Sequence, residues 1–210
     1  MAKHFDQKER DAIRERLCAL GEEEFAKRGL RAARVEDICL QVGISKGSFY
    51  NFFDAKEHLF IAVMERRERI YRQSTLELIR GHVSDAHKLI DLIFDHILEA
   101  VNTDPFITVM TQPGELEHLA RKVGPEEMAK HQSGDMAFFR LLTDELKMAG
   151  HCKNAKPDDL GEMATLLFCT TMQRSLLPPD SFNAALEQLR DLFHLKLIGT
   201  LPNLGDKTSD

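Results

Sequence analysis

Apolar residues along this chain recur at three- and four-residue steps, the spacing that puts them on one face of a helix. Between residues 10 and 28, Ile13, Leu17, Leu20, Gly21 and Phe25 fall on one stripe, and Gly29 supplies a stop. Val35, Ile38, Cys39 and Val42 mark a short second helix ending at Gly43. Ser45 opens a third helix, and the spacing of Asp54 and Glu57 is that of a capping box opening a fourth. Leu59, Val63 and Ile70 give the fourth helix a core-facing stripe.

The helical pattern continues to the end of the chain. Ser84 is placed to cap a helix carrying Leu89, Ile90, Ile93, Phe94, Ile97 and Val101, which stops before Asp104 and Pro105. A short helical piece follows and breaks at Gln112, Pro113 and Gly114. Pro125 with Glu126 and Glu127 opens a long helix ending near Gly150, as proline and acids belong in a first turn. Pro157 opens another, through about Leu177; after the break at 178–181 the last helix runs to Gly199. No strand alternation longer than a few residues interrupts this. The pattern predicts an all-α chain of about nine helices.

A helix, a tight turn containing glycine and a second short helix make a helix-turn-helix, and "VGIS" at 42–45 is such a turn. Val42 and Ile44 would bury on either side of it, Gly43 relieves the backbone and Ser45 caps the third helix. In that arrangement the third helix offers its first residues to base edges in a major groove. Gly47 lies early in that helix, where glycine weakens it by roughly 0.5–1 kcal/mol relative to alanine. A bare backbone that lets DNA approach closely accounts for it. Lys46, Ser48 and Asn51 supply hydrogen-bond donors. Of the aromatics, Phe49, Phe52 and Phe53 are expected mostly inside, with Tyr50 outward toward a phosphate. Lys56 adds positive charge beside the exposed amides of the fourth helix. Without DNA, the same residues describe a helical corner of any all-α protein.

From Ile13 to Val63 the chain resembles the amino-terminal domain of TetR-family transcriptional regulators. The resemblance runs through Phe25, Gly29, "VEDI" at 35–38, "VGISKGSFYNFF" at 42–53, and the pairs Lys56-Glu57 and Leu59-Phe60. It covers about fifty residues; the rest matches only in length and helical character. One departure stands out: where family members commonly open the second helix with threonine or serine, this chain has Ala33-Arg34. Arg34 would replace the phosphate contact by charge, and the cap is lost or comes from elsewhere. The resemblance implies a helix-turn-helix domain over residues 8–68 and a ligand-binding and dimerisation body over 69–200. Residues 201–210 are expected to be a disordered tail. DNA contacts are expected from Arg34, Ser45, Lys46, Gly47, Ser48, Tyr50, Asn51 and Lys56.

In such regulators the body forms the dimer and encloses a ligand pocket. Leu160, Met163, Leu167, Phe168 and Thr171 form a stripe on the penultimate helix; Leu186, Leu189 and Phe193 form one on the last. Two such helices from each chain would build a four-helix bundle across a two-fold axis. Dimerisation also suits a reader of two half-sites roughly 34 Å apart. Pocket candidates are Phe94, Ile97, Phe106, Val109, Met110, Phe138, Phe139 and Leu142, an apolar lining for a small hydrophobic or aromatic effector. Methionine and phenylalanine at helical spacing are more often plain core.

Composition narrows the remaining classes. A net charge of −6 is divided unevenly: residues 1–72 hold 15 Lys and Arg against 13 Asp and Glu, and the remaining 138 hold 13 against 21. A weakly basic front end on an acidic body permits a DNA-binding end. Four well-separated cysteines, Cys18, Cys39, Cys152 and Cys169, form no Cys-x-x-Cys pair and fit reduced thiols in a cytoplasmic protein. No apolar run approaches a membrane span, and the start is polar, without a secretory pattern. There is no nucleophile elbow, zinc-protease motif or phosphate loop, so no enzyme is expected. His87, His96, His118 and His131 lack the i,i+4 spacing of metal ligands, so neither metal nor cofactor is expected. The function expected is sequence-specific DNA binding by a homodimeric repressor released from a palindromic operator by a small apolar ligand. The alternative is a ligand-independent or architectural DNA-binding protein.

Overall fold

The computed structural model describes residues 6–81, 83–110 and 112–202, leaving residues 203–210 of the expected tail outside the described residues. Its helices are α1 (Gln7–Ala32), α2 (Val35–Val42), α3 (Lys46–Phe49), α4 (Lys56–Arg80), α5 (Ala86–Thr103), α6 (Pro105–Met110), α7 (Glu115–Val123), α8 (Pro125–Met148), α9 (Pro157–Met172) and α10 (Pro179–Leu197). A single 3-10 turn, Arg174–Leu176, separates the last two. No strand occurs among the described residues, so the all-α expectation holds. No described helix is long and apolar enough to cross a membrane. The described residues form two compact units, one from residues up to 71 together with 102–129 and the other from 72–101 together with those from 130 on.

In the first unit, α1 starts at a capping box: the Glu9 N–H donates to Asp6 Oδ1 (2.8 Å) and the Asp6 N–H to Glu9 Oε2 (3.2 Å). The stop expected at Gly29 is a break, φ 80° and ψ 164°, inside the residues assigned to α1. The predicted α2 stripe of Val35, Ile38, Cys39 and Val42 is buried throughout. Leu59 and Val63 of α4 are buried as well, but Ile70 is 62% exposed, because that end of the stripe leaves the first unit's core. The core is aromatic at its centre. Phe60 meets Phe25 edge-on at 5.0 Å and stacks on Phe106 of α6 at 4.8 Å.

The periodicity reading did not include α7. Leu119 of that helix is fully buried in the same core. Two polar ties hold it to the residues before it. The buried Glu115 carboxylate accepts from the Arg31 backbone N–H (3.2 Å) and from Arg31 Nε (2.7 Å). His118 Nε2 lies 3.1 Å from Glu57 Oε1.

The second unit packs Leu89, Ile90 and Phe94 of α5 with residues of α8, α9 and α10, Phe94 meeting Phe193 edge-on at 5.2 Å. The cap of α5 is Asp85 rather than Ser84. Its carboxylate accepts from the His87 N–H (2.8 Å) and the Lys88 N–H (3.2 Å), and these backbone bonds hold its pKa below the usual value. α9 ends at Met172 instead of near Leu177, the chain tightening into the 3-10 turn. The wholly buried His194 ties α10 to α5, with Nε2 3.0 Å from Asp91 Oδ1 and Nδ1 3.0 Å from His87 Nδ1.

Candidate nucleic-acid interface

The turn between α2 and α3 forms because Gly43 takes a left-handed conformation, φ 82° and ψ 33°, that closes α2. Its N–H and that of Ile44 both donate to the Cys39 carbonyl, at 2.9 and 3.0 Å. Ser45 caps α3, its Oγ accepting from the Ser48 N–H at 3.0 Å and lying 2.9 Å from Ser48 Oγ. Both hydroxyls are thus engaged locally, Ser45 exposed and Ser48 half-buried.

Gly47 is exposed, and a Cβ built there would approach only Ser45 Oγ, at 3.7 Å. Packing within the protein does not call for glycine at this position. Tyr50 is 49% exposed and meets Phe49 edge-on at 5.4 Å, and Asn51 is exposed beside it. Phe49 and Phe53 are buried in the core and Phe52 is half-buried, so the aromatic run splits between inside and outside.

The cations are arranged less simply. Lys46 Nζ lies 2.5 Å from Glu36 Oε1 of α2, with both side chains more than half exposed. The hydrogen bond between them raises the lysine pKa and lowers that of the glutamate. Arg34 is exposed at the N-cap of α2 and makes no side-chain cap bond, so the threonine-like cap is absent. Lys56 turns inward: its Nζ donates to the carbonyls of Arg31 (2.8 Å) and Ala33 (3.1 Å).

Three cations of the site escaped the sequence reading. Arg10 Nη2 donates to the Asn51 carbonyl (3.0 Å), Arg14 Nη1 to the Phe52 carbonyl (3.2 Å), and Arg16 Nη2 to the Gln41 carbonyl (3.4 Å). Their i,i+4 and i,i+6 spacing on α1 was visible; carbonyl partners 25 to 41 residues away were not. A groove of about 360 Å³ runs between α1 and the turn, lined by Ile13, Arg16, Val42, Ile44, Ser45 and Ser48 among others.

The other two candidate sets are distributed differently. Phe106, Val109 and Met110 pack in the first unit's core, and Phe94, Ile97, Phe138, Phe139 and Leu142 in the second's. The eight pocket candidates therefore belong to two cores. Of the interface candidates, Leu160, Met163, Leu167, Thr171, Leu186 and Phe193 are buried within their own unit, Leu189 is half-buried and Phe168 is 39% exposed. Apolar surface on and after α9 comes from Leu166, Phe168, Leu176 and Leu177. The histidines at 87, 96 and 118 bond to His194, Ser74 and Glu57 respectively.

A capped three-residue-plus turn, a short helix with one bare backbone position, and exposed polar residues around it define a helix-turn-helix head. Residues 17–63 match the family model described as bacterial regulatory proteins, tetR family. The likeness to that family lies in this amino-terminal domain, 47 of the 210 residues. It is 34% identical over 68 residues to the HTH-type transcriptional repressor NemR of Escherichia coli K12, a match spanning 32% of this chain and 34% of that protein. The matched stretch is thus about a third of the length of the curated relative. Among solved structures, a TetR-family transcriptional regulator from Pectobacterium atrosepticum superposes with a TM-score of 0.66, at 22% identity over 94% of this chain and 98% of the other. RolR in complex with resorcinol superposes with a TM-score of 0.62, at 16% identity over 94% and 98% of the two chains.

Proposed function

We propose that this chain is a sequence-reading, homodimeric transcriptional regulator that represses by occupying a palindromic operator and leaves it when a small apolar molecule binds the body. The observation that carries the DNA-reading part is Gly47. It is a glycine that neither space nor backbone conformation within the protein requires, set between exposed Lys46, Tyr50 and Asn51 on a helix capped by Ser45. On this reading α3 lies in a major groove, with Ser45, Lys46, Ser48 and Asn51 toward bases and phosphates, and Tyr50 and Arg34 toward the flanking backbone. Lys56 supports the same face by holding the end of α1 in place.

Dimerisation is supported by the apolar surface of Leu166, Phe168, Leu176 and Leu177, which a second copy would cover. The effector reading is supported by the aromatic residues of the second unit, Phe94, Phe138 and Phe139, and by RolR, a protein of this fold that holds resorcinol. Coupling of about 1–3 kcal/mol between effector and operator would change DNA affinity roughly 5–150-fold. The protein would act in the cytoplasm, where the chromosome is.

Fluorescence anisotropy with DNA flanking the protein's own gene, against scrambled duplex at about 0.15 M salt, tests the reading. A preference of at least ~10³-fold supports it. Equal weak binding to both, repeated with duplexes from a random-sequence selection, overturns it. A panel of phenols and other small aromatics added to the complex then tests release, and a complex that none of them dissociates favours ligand-independent binding.

A further inference from the structure

We infer that Arg10 and Arg14 are positioning residues that set the orientation of the reading helix, and so set sequence discrimination without themselves reading bases or phosphates. The inference rests on the DNA-reading role proposed for α3. That helix has four residues, a single turn, too short to hold its own geometry in water. Its end is stitched by the turn bonds Asn51 N–H to Ser48 O (3.1 Å), Phe52 N–H to Phe49 O (2.9 Å) and Phe53 N–H to Phe49 O (3.1 Å).

The carbonyls of Asn51 and Phe52, which point on from this end, are met by α1. Arg10 and Arg14 stand i,i+4 on one face of that helix and donate to them at 3.0 and 3.2 Å. Each guanidinium also lies over a ring of the same segment. Arg10 Cζ is 5.1 Å from the Phe52 centroid and Arg14 Cζ 4.4 Å from that of Phe53. Phe53 packs in turn on Phe49 of α3, with ring centroids 5.8 Å apart. Arg16 makes the matching contact at the end of α2, on the Gln41 carbonyl at 3.4 Å. α1 therefore holds carbonyls at the end of each helix of the motif.

The consequence is local. Asn51 is a proposed base-facing residue, and its own carbonyl is one of those held. A planar fork that donates to the backbone and lies flat on a ring fixes direction as well as distance, which a lysine ammonium does only in part.

The test compares full-length protein with R10M, R14M, the double variant and R10K/R14K. The duplexes are the sequence that wild-type protein selects from a random pool and a scrambled duplex of the same composition. Circular dichroism establishes which variants are folded at the assay temperature. For folded R10M/R14M the expected result is at least a tenfold loss in the selected-over-scrambled affinity ratio. The salt slope on scrambled DNA should stay within about half a unit of wild type, and R10K/R14K should recover part of the ratio. An unchanged ratio overturns the inference. So does a slope lower by about two with the ratio intact, because that makes both arginines phosphate contacts.

If the double variant does not fold, the single variants decide by amide hydrogen exchange. Residues 51–53 should exchange at least tenfold faster than in wild type while residues 38–42 keep their protection, and unchanged protection at 51–53 overturns the inference. If wild-type protein selects no sequence, the DNA-reading function falls by itself, and the exchange measurement still decides whether the arginines hold α3.

Discussion

Lys56 Nζ stands 2.8 Å from the carbonyl oxygen of Arg31 and 3.1 Å from that of Ala33, so the first turn of α4 closes the end of α1. Carbonyls at a helix end lack intrahelical donors, and an ammonium placed on them satisfies their hydrogen bonding and suits the dipole. Replacing Lys56 by methionine removes two charge-assisted bonds at a partly exposed site, an expected loss of about 1–2 kcal/mol read by urea unfolding. A direct phosphate contact would in addition lower the salt slope of DNA binding by about one. Lowered stability with an unchanged slope assigns Lys56 to the cap alone.

Gly47 gives the opposite pattern. An added Cβ meets nothing nearer than Ser45 Oγ at 3.7 Å, so Gly47→Ala should keep the fold and gain up to about 0.5–1 kcal/mol of stability from its better helix propensity. Gly47→Leu should also fold, yet lose at least tenfold in affinity for the selected operator while binding scrambled DNA as before. Operator affinity equal to wild type in folded Gly47→Leu removes the close approach of DNA from the account.

The front of the molecule was legible because its signals are local. Stripe, stop and cap lie within a few residues of one another at Val35–Val42, Gly43 and Ser45, and each is seen in the structure. What escaped depends on distant partners. Helix α7 carries only Leu116, Leu119 and Val123 as large apolar residues among nine, and its anchors, Arg31 and Glu57, lie 84 and 61 residues away from Glu115 and His118. Periodicity also does not tell a stripe buried inside the chain from one left for a partner. Leu160, Met163 and Leu167 look like an interface along α9 and are core, whereas Leu176, 74% exposed, lies beyond the end of that stripe.

Glu36 holds the ammonium of Lys46, so on the proposed reading of α3 it would compete with DNA for that cation. Glu36→Gln removes an exposed carboxylate and frees the ammonium, and should raise affinity for operator and scrambled duplex alike by about two- to fivefold at low salt. The pH dependence follows from the directions of the two shifts. Glu36 is held below its ordinary 4.5 by the Lys46 bond, so that contribution is present above 4.5 and disappears as pH falls through the lowered value. Lys46 is raised above 10.5, so its contribution is present below 10.5 and disappears as pH rises through the raised value. The pair therefore adds no pH dependence to DNA binding between pH 6 and 8, and the gain in Glu36→Gln should be constant across that range. Anisotropy titrations at pH 6, 7 and 8 check it, and a gain that shrinks at pH 6 counts against the pairing.

The cysteines report on the proposed dimer. Burial pushes the thiols of Cys18 and Cys39 above 9.0 and that of Cys152 up to about 11, which keeps the reactive thiolate scarce at neutral pH. Cys169 is the exposed thiol, next to Phe168 on the α9 surface proposed to meet a second copy. Iodoacetamide at pH 7.5 should therefore label Cys169 before the other three. In a dimer built on Leu166 and Phe168 that labelling is slow, because the partner covers the site. The double substitution L166E/F168E places two carboxylates in an apolar contact, and should convert the protein to monomers in sedimentation and speed Cys169 labelling at least tenfold. Operator affinity should fall with it, since a single head retains only one half-site. Rapid labelling of Cys169 in a wild-type protein that sediments as a dimer would place the contact between copies elsewhere on the surface.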